Sequence, residues 1–172
     1  MFKMMVATSV FVLSSAAAMA ADTSVEINAI SAEGVGKPMG TATLSDTADG
    51  LSIKVDVSGI SGGEHGFHVH EKGDCSPSQK DGKMTAGLAA GPHFDPHATK
   101  THKGPDGGGH GGDLPKLTSA DGKIDQTVTV KDLKLADVAG RSLMIHEGGD
   151  NYSDNPENGG GKGRIACGVI PK

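Results

Sequence analysis

Three observations predict an all-β fold. Apolar and polar residues alternate with period two in several short runs, glycine-rich turns separate these runs, and no segment carries the periodicity of a long amphipathic helix. Short strands joined in this way build a sandwich or a barrel. The 27 glycines cluster between the periodic runs, which marks them as turn and loop residues rather than a low-complexity tract.

The elements follow in chain order. Residues 1–20 precede the fold. Lys3 is the only charge before Asp22, the middle is apolar, and the stretch ends Ala18-Met19-Ala20. This pattern reads as a secretory signal peptide cleaved after Ala20. A membrane anchor is the competing reading, but the second half is Ser and Ala rather than Leu or Ile. Residues 21–172 then form one domain.

Val25, Ile27 and Ala29 alternate, and Thr41–Leu44 is a shorter candidate strand. Leu51, Ile53, Val55 and Val57 point one way, with Ser52, Lys54 and Asp56 opposite, as in a half-buried strand. Ile124–Val130 is rich in Thr and Val and follows an "ADGK" turn. "KDLKLADVAG" holds the one helical hint, with Gly140 as its cap. Leu143 and Ile145 alternate with Met144 and His146, and Arg164–Ile170 closes the chain. Two Gly-rich stretches without periodicity, residues 71–122 and 147–163, interrupt this order. Loops this long in a compact domain are functional or disordered, so a metal ion and a disulfide are expected to order them.

Without Lys3, 15 basic residues face 21 acids, a charge near −6 with His neutral. No basic block invites nucleic acid, and no apolar run after residue 20 is long enough to span a membrane. Cys75 and Cys167 most simply form one disulfide in an exported chain; the alternative is two free thiols.

Histidine is unevenly spread. In "HGFHVH", strand alternation sends Phe67 and Val69 to the core and puts His68 and His70 together on the other face. Alone, that spacing is a weak signal for a metal, and two histidines on a solvated face explain it better. His93, His102, His110 with Asp113, and His146 follow in Gly-rich loops and at a strand end. Three histidines and an aspartate suit tetrahedral zinc, and histidine-only sites on strands suit copper. His93 and His97 have helical spacing, but Pro92 and Pro96 argue against a helix, so His97 is expected to be exposed.

"GEHGFHVHEKGDC", "GPHFDP", "HKGPDGGGHGGDLP", "RSLMIHEGGDNYSD" and "GRIACGVI" occur in the order, and over most of residues 60–170, in which copper,zinc superoxide dismutases carry them. The chain resembles the exported bacterial branch of that family. The resemblance implies a Greek-key β-barrel or sandwich of about eight antiparallel strands with two long functional loops. It implies one copper and one zinc per subunit. His68, His70, His93 and His146 match the copper ligands, and His93, His102, His110 and Asp113 the zinc ligands, so that His93 bridges the two. Asp150 matches a carboxylate linking His68 to His102, and Arg164 an arginine beside the copper. His65 matches a structural histidine, and Cys75–Cys167 the family disulfide.

The implied reaction converts two superoxide anions to O2 and H2O2. Copper cycles between Cu(II) and Cu(I), while His93 takes up a proton and returns it to the peroxide. Arg164 meets the anionic substrate, and Lys72, Lys80, Lys83 and Lys162 are candidates to strengthen a local positive field. The stretch between Cys75 and His93 is longer than in eukaryotic relatives and resembles the bacterial form, which leaves monomer or homodimer open. The expected location is periplasmic or secreted. The alternative function is a non-catalytic copper or zinc carrier of the same fold. An adhesion-type sandwich would leave the histidines unexplained.

Overall fold

A computed structural model describes residues 22–172; the expected signal peptide, residues 1–20, lies outside the described residues. The described residues form β1 (Thr23–Ser31), β2 (Gly34–Thr47), β3 (Gly50–Ser58), β4 (Gly63–His65), β5 (Phe67–His70), β6 (Ser78–Lys80), β7 (Lys83–Thr85), β8 (Leu117–Ser119), β9 (Lys123–Val130), one helical turn α1 (Leu135–Val138), β10 (Ser142–His146) and β11 (Arg164–Val169).

Seven strands make one antiparallel sheet in the order β5-β10-β11-β1-β2-β3-β9. Its two edges are joined by the β4–β8 pair. β4 runs into β5 through Gly66, and β8 turns into β9 at Asp121-Gly122, where Ala120 and Lys123 exchange backbone hydrogen bonds. With β4 and β5 counted as one strand and the β6–β7 hairpin set aside, eight strands close the ring. From β3 the chain skips two places to β4, and β8 and β9 later fill the gap, which is a Greek-key connection.

The core fills this ring. Leu51, Ile53, Val55 and Val57 of β3 face Val25, Ile27, Phe67, Val69, Leu143 and Ile145. Each large aliphatic residue buried there contributes about 1.5–3 kcal/mol.

Three local expectations change. β2 is 14 residues long rather than Thr41–Leu44, because hairpin pairing with β1 extends it through a polar, Gly-rich stretch. The β1–β2 register shifts at Asn28, so Ala29 is only half-buried. Ile30 joins a second cluster outside the ring with Cys75, Ala90, Met144 and Cys167. Residues 71–122 also contain the β6–β7 hairpin, whose Asp81-Gly82 turn has positive φ at both positions. α1 forms as expected, with Gly140 (φ 75°) just beyond its end.

Cys75 and Cys167 are joined in a disulfide across 92 positions. In the chain-entropy account a closed loop of that size is worth roughly 4–5 kcal/mol. It ties the loop after β5 to β11, beneath the wall where the histidines stand.

Candidate metal centre

β5 and β10 pair so that Met144 lies opposite His68 and Ser142 opposite His70. Phe67, Val69, Leu143 and Ile145 point into the ring, which leaves His68, His70, Met144 and His146 on its outer wall. These outer residues are also buried, since the long loops fold over them.

The first loop does so by extending the sheet. β5 is an edge strand of the large sheet, and an edge presents unpaired backbone groups. Phe94 donates its N–H to the Val69 carbonyl at 2.9 Å, and Val69 donates to Gly112 at 2.9 Å. Bridges of His70 with His93 and of His68 with Asp113 continue the pairing. A Cβ at Gly112 would collide with the Val69 carbonyl, so this approach requires glycine. Asp113 donates its N–H to the His110 carbonyl at 3.2 Å, a turn that brings both side chains to the same place.

Six imidazoles and two carboxylates converge. Around Asp113 Oδ1 stand His93 Nδ1 at 3.0 Å, His102 Nδ1 at 2.9 Å and His110 Nδ1 at 3.3 Å. Asp150 accepts from His68 Nε2 at 2.7 Å and from His102 Nε2 at 2.8 Å. The second loop folds onto this carboxylate, and at Gly159 (φ 71°) a Cβ would fall on Asp150 itself. The His93 ring lies between the sets. Its centroid is 3.9 Å from His68, 5.0 Å from His70 and 6.2 Å from His146, against 5.3 Å from His102 and 5.4 Å from His110.

Several buried ring nitrogens lack a hydrogen-bond partner: His68 Nδ1, His70 Nε2, His102 Nδ1, and both nitrogens of His146. His102 Nδ1 is near Asp113 but out of hydrogen-bonding alignment with it. A buried polar atom left unpaired costs about 1–3 kcal/mol, and native proteins rarely keep several together. A metal ion would take one nitrogen of each of these four rings, which leaves only the second nitrogen of His146 over. Ligand atoms of His68, His70, His93 and His146 lie within 4.8 Å of one another, as do those of His68, His93, His102 and Asp113. His68 falls in both groups by distance, but Asp150 occupies its Nε2 and leaves one nitrogen for one ion.

The protonation pattern fits at four of the rings, His68, His70, His93 and His146. Burial lowers the pKa of His68, and it pushes His93 down to about 4. Burial, reinforced by the Arg164 charge, holds His70 well below its ordinary value; burial with neighbouring His68 does the same for His146. Neutral imidazoles keep the lone pairs that metals require. For His102 burial works the same way, but Asp113 and Asp150 outweigh it and lift the pKa to about 9. Burial alone would raise both carboxyls; the histidines beside them, His102 and His93 at Asp113 and His102 and His68 at Asp150, outweigh it and hold them below the usual range.

Arg164 opens β11 opposite His146. Its guanidinium donates to the Gly87 carbonyl at 2.6 Å and to the Gly91 carbonyl at 2.8 Å. The Gly91 carbonyl also accepts from His70 Nδ1 at 2.8 Å. A cleft of about 280 Å³ reaches His93, His146 and Arg164 between Lys80, Lys162 and Glu157. Lys72 and Lys83 do not line it. His65 stands apart, its ring nitrogens 2.7 Å from the His146 carbonyl and 2.9 Å from that of Ser61. His97 is exposed, as expected.

Sequence reasoning missed the Gly87 and Gly91 carbonyls that fix Arg164, because a backbone oxygen leaves no residue-type signal. It also missed Asp154, which caps the His102 N–H at 2.8 Å, and Tyr152, whose hydroxyl accepts the Lys116 N–H at 2.9 Å. Tyr152 is the only tyrosine, and it lies in the loop that carries Asp150.

An eight-stranded Greek-key ring with two adjoining imidazole-lined pockets on one outer wall defines a two-metal β-barrel protein. The profile of the family described as Copper/zinc superoxide dismutase (SODC) matches residues 38–170. The chain belongs to the copper/zinc superoxide dismutase family. It is 49% identical over 173 residues, 99% of each chain, to a protein of Brucella melitensis biotype 1 named Superoxide dismutase [Cu-Zn]. The solved Cu/Zn superoxide dismutase from Brucella abortus superposes with a TM-score of 0.84 at 50% identity, covering 87% of this chain and 99% of that one. The solution structure of the monomeric copper, zinc superoxide dismutase from Salmonella enterica gives 0.76 at 46% identity, over 87% and 99%.

Proposed function

We propose that this chain dismutates superoxide, with copper held by His68, His70, His93 and His146 and zinc by His93, His102, His110 and Asp113. One observation carries the reading: the His93 ring lies between two sets of buried ligands, with Nδ1 turned to Asp113 and the rest of the ring among His68, His70 and His146. His110 completes the zinc set in preference to His68, whose second nitrogen is committed to Asp150.

Bound copper supplies the one-electron chemistry that oxidises one superoxide to O2 and reduces the next to H2O2, while zinc has no redox chemistry and supplies charge and order. The protein does the rest. Arg164, a permanent cation fixed by two carbonyls, draws the anion to the end of the cleft and donates hydrogen bonds to it. Lys80 and Lys162 add positive charge to the cleft walls of a chain that is net negative. Nε2 of His93, the ring nitrogen turned away from Asp113, takes up one proton and passes it to the departing peroxide, and the second proton of H2O2 comes from solvent. Asp150 fixes the rings of His68 and His102, as outer carboxylates do in metal sites.

The disulfide and the leader-like residues 1–20 support export to the periplasm, with residues 21–172 as the mature domain. One chain holds every group the reaction uses, so a monomer suffices. A carrier of the same fold needs neither Arg164 nor an imidazole between the two sets. Metal analysis with a superoxide assay tests the proposal: one copper and one zinc per chain with turnover, lost in His146→Ala, is expected. Full metal content without turnover points to the carrier.

A further inference from the structure

The cleft and a second cavity both reach the ligands, and their charges are opposite. The cleft described above carries Lys80, Lys162 and Arg164 against Glu157. A larger cavity, about 620 Å³, ends on His110 and Asp113, and its walls carry Asp106, Asp132 and Asp137 against Lys131. No residue lines both. Asp137 is engaged in capping α1, accepting the Lys134 N–H at 2.9 Å. Asp106 and Asp132 are exposed and make no hydrogen bond or ion pair among the described residues, so their charges face the cavity unneutralised.

The floor is prepared for a cation. Behind His110 and Asp113 lies His102, whose Nδ1 is fully buried without a hydrogen bond. Of the three imidazoles around Asp113, His110 alone has an exposed edge, 13% of its side chain against 2% for His93 and 0% for His102. His97, exposed, also lines this cavity, but of the set around Asp113 an entering cation meets His110 first. One arriving through the cleft would face Lys80, Lys162 and Arg164, and then the His93 ring that separates the two sets.

We infer that this cavity is the access route by which a divalent cation reaches the His93, His102, His110 and Asp113 set, with Asp106 and Asp132 as its electrostatic guides. The inference rests on the zinc assignment proposed above. It divides traffic by charge: the cation loads from one side of His93 and the anionic substrate arrives from the other.

Zinc uptake by the metal-free protein, timed by stopped flow against a chromophoric chelator, tests the route. Asp106→Asn/Asp132→Asn is expected to slow uptake about fivefold or more at low ionic strength, less in high salt, with one zinc still bound at equilibrium. Glu33→Gln/Asp49→Asn changes net charge equally at exposed turns outside the cavity and should leave the rate unchanged. Equal rates for the wild-type chain and the cavity variant, at full occupancy, overturn the route; so does equal slowing in the turn variant. A wild-type chain that binds no zinc overturns the zinc assignment instead, and the route with it.

Discussion

The two faces of β5 and β10 are equally buried and are held by different forces. Inside the ring, Phe67, Val69, Leu143 and Ile145 pack among aliphatic neighbours from every strand. Outside, His68, His70 and His146 are buried under two loops and keep ring nitrogens without hydrogen-bond partners. The inner face is complete with the chain alone, because apolar contact is non-directional. The outer face is complete only when something accepts those lone pairs. One backbone, alternating every second residue, thus carries a self-sufficient layer and a conditional one.

Removing both metals should separate the layers most strongly. The metal-free protein is expected to lose several kcal/mol, a fall in Tm of roughly 10 °C or more for a domain of this size. Hydrogen exchange should then show β1–β3 still protected while residues 93–113 and 147–163 open. Loss of protection throughout would mean that the ring does not stand on its own.

Ile53→Ala attacks the inner layer. It is expected to cost about 2–5 kcal/mol in chemical denaturation and to leave metal affinity unchanged. Asp150→Ala does the reverse. It strips the acceptor from His68 and His102 and should lower metal affinity about 10–100-fold, read by competition with chelators. If Ile53→Ala weakened metal binding as much, the layers would be one unit.

Arg164→Ala should keep both metals, lose about tenfold or more in rate, and lose most of its salt dependence. Unchanged kinetics would remove the arginine from the reaction.

Acid gives the finest test. In the metal-free protein, His68, His70, His93 and His146 bind protons less readily folded than unfolded. Their contribution is present above the unfolded value near 6.5 and is lost as pH falls, for His93 through about 4. His102 works oppositely: its contribution is full below 6.5 and fades as pH climbs through about 9. Denaturation midpoints of the metal-free protein should therefore drop below pH 6.5. Flat midpoints down to pH 4 would mean that the histidines are hydrated rather than buried.

The inner layer was legible in the sequence because alternation encodes it directly: Leu51 to Val57 and Leu143 to Ile145 read correctly residue by residue. The outward His68 and His70 of β5 and His146 of β10 were legible for the same reason. What joins them to His93, His102 and Asp150 was readable only through the family's motifs, since contacts across 48 and 82 positions leave no local period. The extension of β2 was hidden because ladder pairing with β1 overrides the weak propensity of its glycines and Pro38. The anchoring of Arg164 stayed hidden because backbone carbonyls provide it.

Asp150 has one further consequence. In the ligand sets proposed above its two oxygens hold a ring from each, so an ion that reorients one ring acts on the other through the same carboxylate. Occupancy at the two positions is therefore thermodynamically linked, and linkage is reciprocal: whatever factor the first ion adds to the grip on the second, the second returns to the first.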